Sequence, residues 1–125
     1  MPKAARLLKR REFLKVYAEG KRFEGRLLTG FVLPSKSMRH RAGMTATRKA
    51  IGKAFERNRA KRLMREAFRL SRVELDELKG RYDWVLNARR GLLRVKLEQA
   101  LQDFRKIIAA VKHSEPEKGK ENVTD

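Results

Sequence analysis

Cysteine is absent from this chain of 125 residues, which excludes disulfides, thiolate chemistry and Cys-based zinc sites. Histidine is almost absent. His40 and His113 stand far apart, too few for a His-based metal site, and neither is suited to a catalytic role. No apolar run approaches the roughly 18 residues that span a bilayer. The basic stretch at residues 1–11 lacks the apolar continuation of a secretory signal, so a cytoplasmic location with no membrane partner is expected. Acidic residues are scarce as well, with 15 Asp and Glu against 33 Lys and Arg and a formal charge of +18. Such a chain repels itself, and a polyanion, nucleic acid foremost, is the simplest partner that makes the charge tolerable.

What remains fits one small domain with one modest core. Beyond Val111 the sequence is polar and cannot bury enough surface to offset ordering entropy, so residues 113–125 are expected to form a disordered tail after a domain over 1–112. Glu115, Glu117, Glu121 and Asp125 against Lys118 and Lys120 leave that tail at −2 and the domain at +20.

Phe13, Val16 and Tyr17 at helical spacing, with Gly20 as a stop, predict a first helix over residues 9–19. The short apolar run over 27–33, ended by Pro34, reads as a strand, although Thr29 and Gly30 make it less apolar than most. After a basic loop, residues 42–47 read as a second strand joined to the first in a hairpin-like arrangement. A third strand is expected over 82–88, between Gly80 and Arg89-Arg90-Gly91. Leu97, Ala100, Leu101, Phe104, Ile108 and Val111 form one stripe of a last helix over 94–112. The order α-β-β-α-β-α argues an α+β fold with helices packed on a small sheet.

Residues 57–72 form the strongest signal. At about 100° per residue, Arg57, Asn58, Lys61, Arg62, Arg65, Arg69 and Arg72 fall within an arc of about 140°. Ala60, Leu63, Met64, Ala67, Phe68 and Leu70 occupy the opposite side. A solvated surface helix usually pairs Glu with Lys one turn apart, whereas Arg57, Lys61, Arg65 and Arg69 make successive like-charge pairs, each costing roughly 0.2–0.5 kcal/mol. Arg outnumbers Lys here, which favours forked contacts to phosphate.

The run Lys49-Ala50-Ile51-Gly52-Lys53-Ala54-Phe55-Glu56-Arg57-Asn58-Arg59-Ala60-Lys61-Arg62-Leu63-Met64-Arg65-Glu66 closely resembles the signature of the bacterial ribonuclease P protein subunit. Arg11-Glu12-Phe13-Leu14-Lys15-Val16-Tyr17 resembles that family's first helix, and Asp83-Trp84-Val85-Leu86-Asn87-Ala88-Arg89 its third strand, so the similarity covers roughly residues 6–110. Arg48 stands where the family more often has Lys.

The resemblance implies a left-handed βαβ crossover, against the usual right-handed rule. It also implies partnership with a catalytic RNA and precursor tRNA, and removal of the tRNA 5′ leader by the RNA and its magnesium ions. The protein alone would bind no cofactor or metal and contribute no catalytic residue. By the same resemblance, Lys49, Lys53, Arg57, Asn58, Arg59, Lys61, Arg62, Arg65 and Arg69 would bind the RNA subunit. Phe13, Tyr17 and Phe31 would line a cleft for the single-stranded leader, together with Arg48 and Arg89. Aromatic faces stack on unpaired bases with little sequence preference. Read without the family, Phe13 and Phe31 fit a core equally well. Asp83 and Glu66 read as structural. A ribosomal or other structural RNA-binding protein would share the charge without needing a cleft, and a DNA regulator would need base specificity and a dimer.

Overall fold

The structure, a computed structural model, describes residues 5–7 and 9–116. Its elements run α1 (Arg10–Glu19), β1 (Lys21–Glu24), β2 (Leu28–Pro34), β3 (Arg41–Thr45), α2 (Ala54–Leu70), α3 (Arg72–Asp76), β4 (Tyr82–Ala88), a 3-10 turn (Leu92–Arg94) and α4 (Leu97–Ser114). Each long helix opens on a lysine whose backbone N–H is capped by the side chain three residues on. Glu12 serves Lys9, Glu56 serves Lys53, and Gln99 serves Lys96, at 2.9, 3.2 and 2.8 Å.

The four strands lie in the order β1-β2-β4-β3. β4 pairs antiparallel with β2 and parallel with β3, so it separates the two strands expected to form a hairpin. That expectation is corrected: β3 and β4 are adjacent and parallel, and α2 and α3 form the crossover between them. β1 was not anticipated either. It is a four-residue edge strand on which Lys21, Arg22 and Glu24 are exposed, so it has no buried face to read. The far edge, β3, is flanked by the isolated pairing of Arg6 with Ala42, and Leu7 N–H donates to Ala42 O at 3.1 Å.

α1 covers one face of the sheet, where Leu7, Val16 and Val85 are buried with Phe13, Tyr17, Phe31 and Leu33 against them. α2 and α4 cover the other. Leu28, Val32, Trp84 and Leu86 meet Ala60, Met64, Ala67 and Phe68 of α2 and Ala100, Phe104, Ile107, Ile108 and Val111 of α4 there. Trp84 is fully buried, edge-on to Phe104 with ring centroids 5.6 Å apart. The weakly apolar Thr29 and Gly30 have a packing reason: both are buried, and Ile107 lies close enough to Gly30 that a larger residue would crowd it.

The expected helix over 57–72 starts at Ala54 and ends at Leu70. It stops because the buried Ser71 hydroxyl donates back to Ala67 O at 2.8 Å, and the backbone there leaves helical geometry before α3 begins. Leu70, placed on the packing face by its angle, is exposed. The last helix runs through His113 to Ser114, and Glu115, assigned to a tail beyond residue 112, is buried. Its carboxylate accepts the N–H groups of Lys79 and Gly80 at 3.0 and 2.9 Å and the Tyr82 hydroxyl at 2.5 Å. Glu115 thus packs with the domain, and the rest of the expected tail, 117–125, lies outside the described residues.

Candidate nucleic-acid interface

α2 separates its two faces as its spacing requires. Ala60, Met64, Ala67 and Phe68 are buried, while Asn58, Arg59, Arg62 and Arg69 are exposed and Arg57, Lys61 and Arg65 are half-buried. Glu66 holds Arg69, with Nε–H···Oε2 at 3.2 Å, and this contact keeps the exposed Glu66 carboxyl below its usual range. Among the described residues, Arg57, Arg59, Lys61, Arg62 and Arg65 form no ion pair. Arg57 Nε is in addition buried without a hydrogen-bond partner, a cost of roughly 1–3 kcal/mol that the free protein bears.

Residues 46–53 connect β3 to α2. Thr47 organises this turn by accepting Ile51 N–H at its carbonyl and Ala50 N–H at its hydroxyl, at 2.9 and 3.1 Å. Gly52 adopts φ +118°, a conformation that side chains rarely take. Arg48, Lys49 and Lys53 are all exposed along it, so the basic surface begins before the helix does.

The α1 face of the sheet is ordered in rows by its register. Thr29, Asn87 and Thr45 form one row, Phe31, Val85 and Gly43 the next, and Leu33, Asp83 and Arg41 the third. In the third row Arg41 donates from Nε and its terminal nitrogen to both Asp83 oxygens at 2.9 and 2.8 Å, and to Glu12 at 3.0 Å. These contacts tie α1 to the sheet and raise the Arg41 pKa, chiefly through the Asp83 hydrogen bonds. Asp83 is thus structural, as expected.

In the middle row Phe13 lies over Gly43 so closely that any Cβ there would collide with its ring. Phe31 meets Tyr17 edge-on at 4.8 Å, and the Arg22 guanidinium sits 5.9 Å from the Phe31 ring centroid. In the polar row the Tyr17 and Thr45 hydroxyls both donate to Asn87 Oδ1, at 2.7 and 2.9 Å. The Asn87 amide nitrogen has no protein partner among the described residues. Arg48 and Arg89 follow the adjacent C-terminal ends of β3 and β4, and Arg89 is braced by Gly25 O at 2.7 Å.

The structure therefore brings Phe13, Tyr17 and Phe31 together on one sheet face, with the three rings half-buried, and places Arg48 and Arg89 beyond the row that ends that face. The basic set, Lys49, Lys53, Arg57, Asn58, Arg59, Lys61, Arg62, Arg65 and Arg69, forms a separate stretch starting a few residues after Thr45. Thr45, Asn87 and Arg22 were missed as members of the site. Asn87 alone had a visible signal, a polar residue inside an apolar strand. Among the described residues, no three His, Asp or Glu side chains gather to hold one metal ion, and no helix is long and apolar enough to cross a membrane.

The ribonuclease P family profile matches residues 1–112. The chain belongs to the ribonuclease P protein family. A ribonuclease P protein component from Chlamydia abortus is 37% identical over 124 residues, covering 98% of this chain and 85% of the relative. One from Desulforapulum autotrophicum is 32% identical over 114 residues, covering 91% and 94%. The ribonuclease P protein of Thermotoga maritima has the same fold, with a TM-score of 0.73 at 27% identity over 89% of this chain and 98% of that one. That of Staphylococcus aureus, at 24% identity, gives 0.73 over 88% and 97%. Ribonuclease P membership makes the chain the protein part of an endoribonuclease that matures tRNA, and a ribosomal or other structural RNA-binding role is not favoured.

Proposed function

We propose that within ribonuclease P the α2 surface grips the catalytic RNA while the α1 face of the sheet holds the single-stranded 5′ leader of precursor tRNA, the hydrolysis being carried out by the RNA. One observation carries this reading: five cations of α2, two exposed and three half-buried, have no ion pair among the described residues, opposite a face on which Ala60, Met64, Ala67 and Phe68 are buried. A phosphate backbone supplies the charge they lack. Asn58 adds an amide that both donates and accepts among groups that only donate. The rings of Tyr17 and Phe31 offer stacking worth roughly 1–3 kcal/mol per base. In this reading magnesium belongs to the RNA.

Reconstitution with the cognate RNA subunit tests the reading. Added protein is expected to promote precursor tRNA cleavage at low magnesium, and an unaltered rate and affinity would refute it. Leader cleavage by protein alone in chelator would refute the assignment of chemistry to the RNA. Tyr17→Phe keeps the ring but drops the hydroxyl that orders Thr45 and Asn87. It is expected to weaken binding of leader-bearing precursor more than of leaderless tRNA, and equal losses would count against the division of labour.

A further inference from the structure

A cavity of about 460 Å³ lies where the N-terminal segment at Ala5, the segment between β2 and β3, the end of α2, α3 and the approach to β4 meet. Its size falls in the range of small-ligand sites, roughly 300–1,000 Å³. Four arginines from four segments, Arg39, Arg69, Arg72 and Arg81, line it, and Asp76 is the one acid among the lining residues. Helical spacing on α2 requires none of this convergence beyond Arg69.

Two of the guanidinium groups are already positioned. Glu66 holds Arg69, and the carbonyls of Leu78 and Gly80 hold Arg81 at 3.1 and 3.2 Å. The side chains of Arg39 and Arg72 are exposed and have no partner among the described residues. The remaining wall is apolar. Phe68 and Leu75 are buried at its base, and Met38 stands 94% exposed at its rim. His40 also lines it, but both ring nitrogens are engaged, with Leu75 O at 3.0 Å and with Tyr82 N–H and Trp84 Nε1–H at 3.1 Å each. His40 therefore offers no further hydrogen bond to a ligand. A thioether on a flexible stem beside a cluster of guanidinium groups suits the face of an aromatic base with a phosphate attached.

We propose that this cavity receives one unpaired nucleotide of an RNA bound along α2. Its phosphate would meet Arg69 and Arg72, and its base would lie between Met38 and Phe68. The inference rests on the RNA-binding reading of α2. Arg69 continues the arc of Arg62 and Arg65, and Arg72 opens α3 just beyond the end of α2, so a strand following this helix, about 25 Å long, arrives at the mouth of the cavity. A free nucleotide shares the same chemistry.

Full-length protein carrying labelled methionine methyl groups distinguishes the possibilities by NMR. Adenosine 5′-monophosphate is expected to move the Met38 signal saturably and leave that of the buried Met64 in place, with half-saturation about fivefold below that of adenosine or inorganic phosphate. Arg72→Gln is expected to raise that midpoint about fivefold. No saturable shift, or an equal response to phosphate, overturns the proposal. In a second arm, the paired change Met38→Ala and Arg39→Gln, both at exposed positions, is expected to weaken binding of the catalytic RNA about fivefold with unchanged melting. Unchanged RNA affinity together with nucleotide binding would assign the cavity to a free nucleotide and overturn the RNA assignment. Failure of the underlying reading shows separately, as Arg62→Ala leaving RNA affinity unaltered.

Discussion

His40 is held neutral by its surroundings. Its Nε2 faces the Leu75 carbonyl and therefore carries the proton, while Nδ1 accepts from the Tyr82 backbone and the Trp84 indole. Burial lowers its pKa below the ordinary 6.5, against a weaker upward pull from the Leu75 hydrogen bond. A second proton would need Nδ1 and would break both bonds it accepts. The unfolded chain therefore takes up a proton that the folded one refuses, so stability rises with pH through this window. Urea unfolding midpoints are expected to be level above about pH 7 and to fall as the pH drops below 6.5 toward the lowered folded value. In His40→Leu that fall should vanish, and stability should drop by roughly 1–3 kcal/mol for each buried polar group left unpaired. A slope that survives the substitution would place its origin elsewhere.

At the scale of elements, Gly43 seats Phe13 of α1 on the sheet and Glu115 anchors the end of α4. Gly43→Ala would push Phe13 off the sheet, costing about 1–3 kcal/mol by overpacking. Leader binding should weaken with it while binding of the RNA subunit persists; losses equal in both would mean the two surfaces are not independent. Glu115 fastens the other end. Burial raises its pKa, but the Tyr82 hydroxyl and the two backbone N–H groups outweigh that and leave it below its ordinary 4.5. Tyr82 is pushed the opposite way, first by burial and then by Glu115, which keeps its hydroxyl a donor. The carboxylate's contribution is thus present above about pH 4.5 and is lost as pH falls through the lower folded value. Truncation after residue 112 is expected to lower the melting temperature, and truncation after 116 to leave it unchanged. Equal melting of the two would show that Glu115 anchors nothing.

These elements also show what patterning reveals. β4 was legible as a short apolar run after Gly80, and the buried face of α2 because its apolar residues repeat at helical spacing. The basic stripe from Arg57 to Arg69 was legible because like charges recur at helical spacing, which opposes folding of the free chain. Pairing was not. Nothing local in residues 28–45 records that β2 and β3 are parted by a strand some forty residues further on. Glu115 sits in a polar context and reveals its partners only in three dimensions. The cavity arginines come from four segments, so no periodicity could have gathered them.

Over the whole molecule the charge of +18 is spread beyond α2, and attraction to RNA will depend on salt even where no specific hydrogen bond is made. Removal of charge at Arg62 or Arg65 should weaken binding of the RNA subunit and reduce the slope of log affinity against log salt by about 1 for each phosphate no longer neutralised. A slope unchanged in both variants would mean that these side chains face no phosphate. Tyr17→Phe, by contrast, should leave that slope alone.

The position of β4 also bears on how the chain is made. Because Tyr82–Ala88 fills the centre of the sheet, a growing polypeptide can form the β1–β2 hairpin and its first helices but cannot close the sheet until that segment has been synthesised. Until then β3 has no strand to join, and the cations of α2 are already present. Pairings so distant in sequence are formed late and slow the folding step. For most of its synthesis this polypeptide is a basic, unfinished chain at the surface of a ribosome, itself a polyanion. Its first encounter with RNA therefore precedes its own completion.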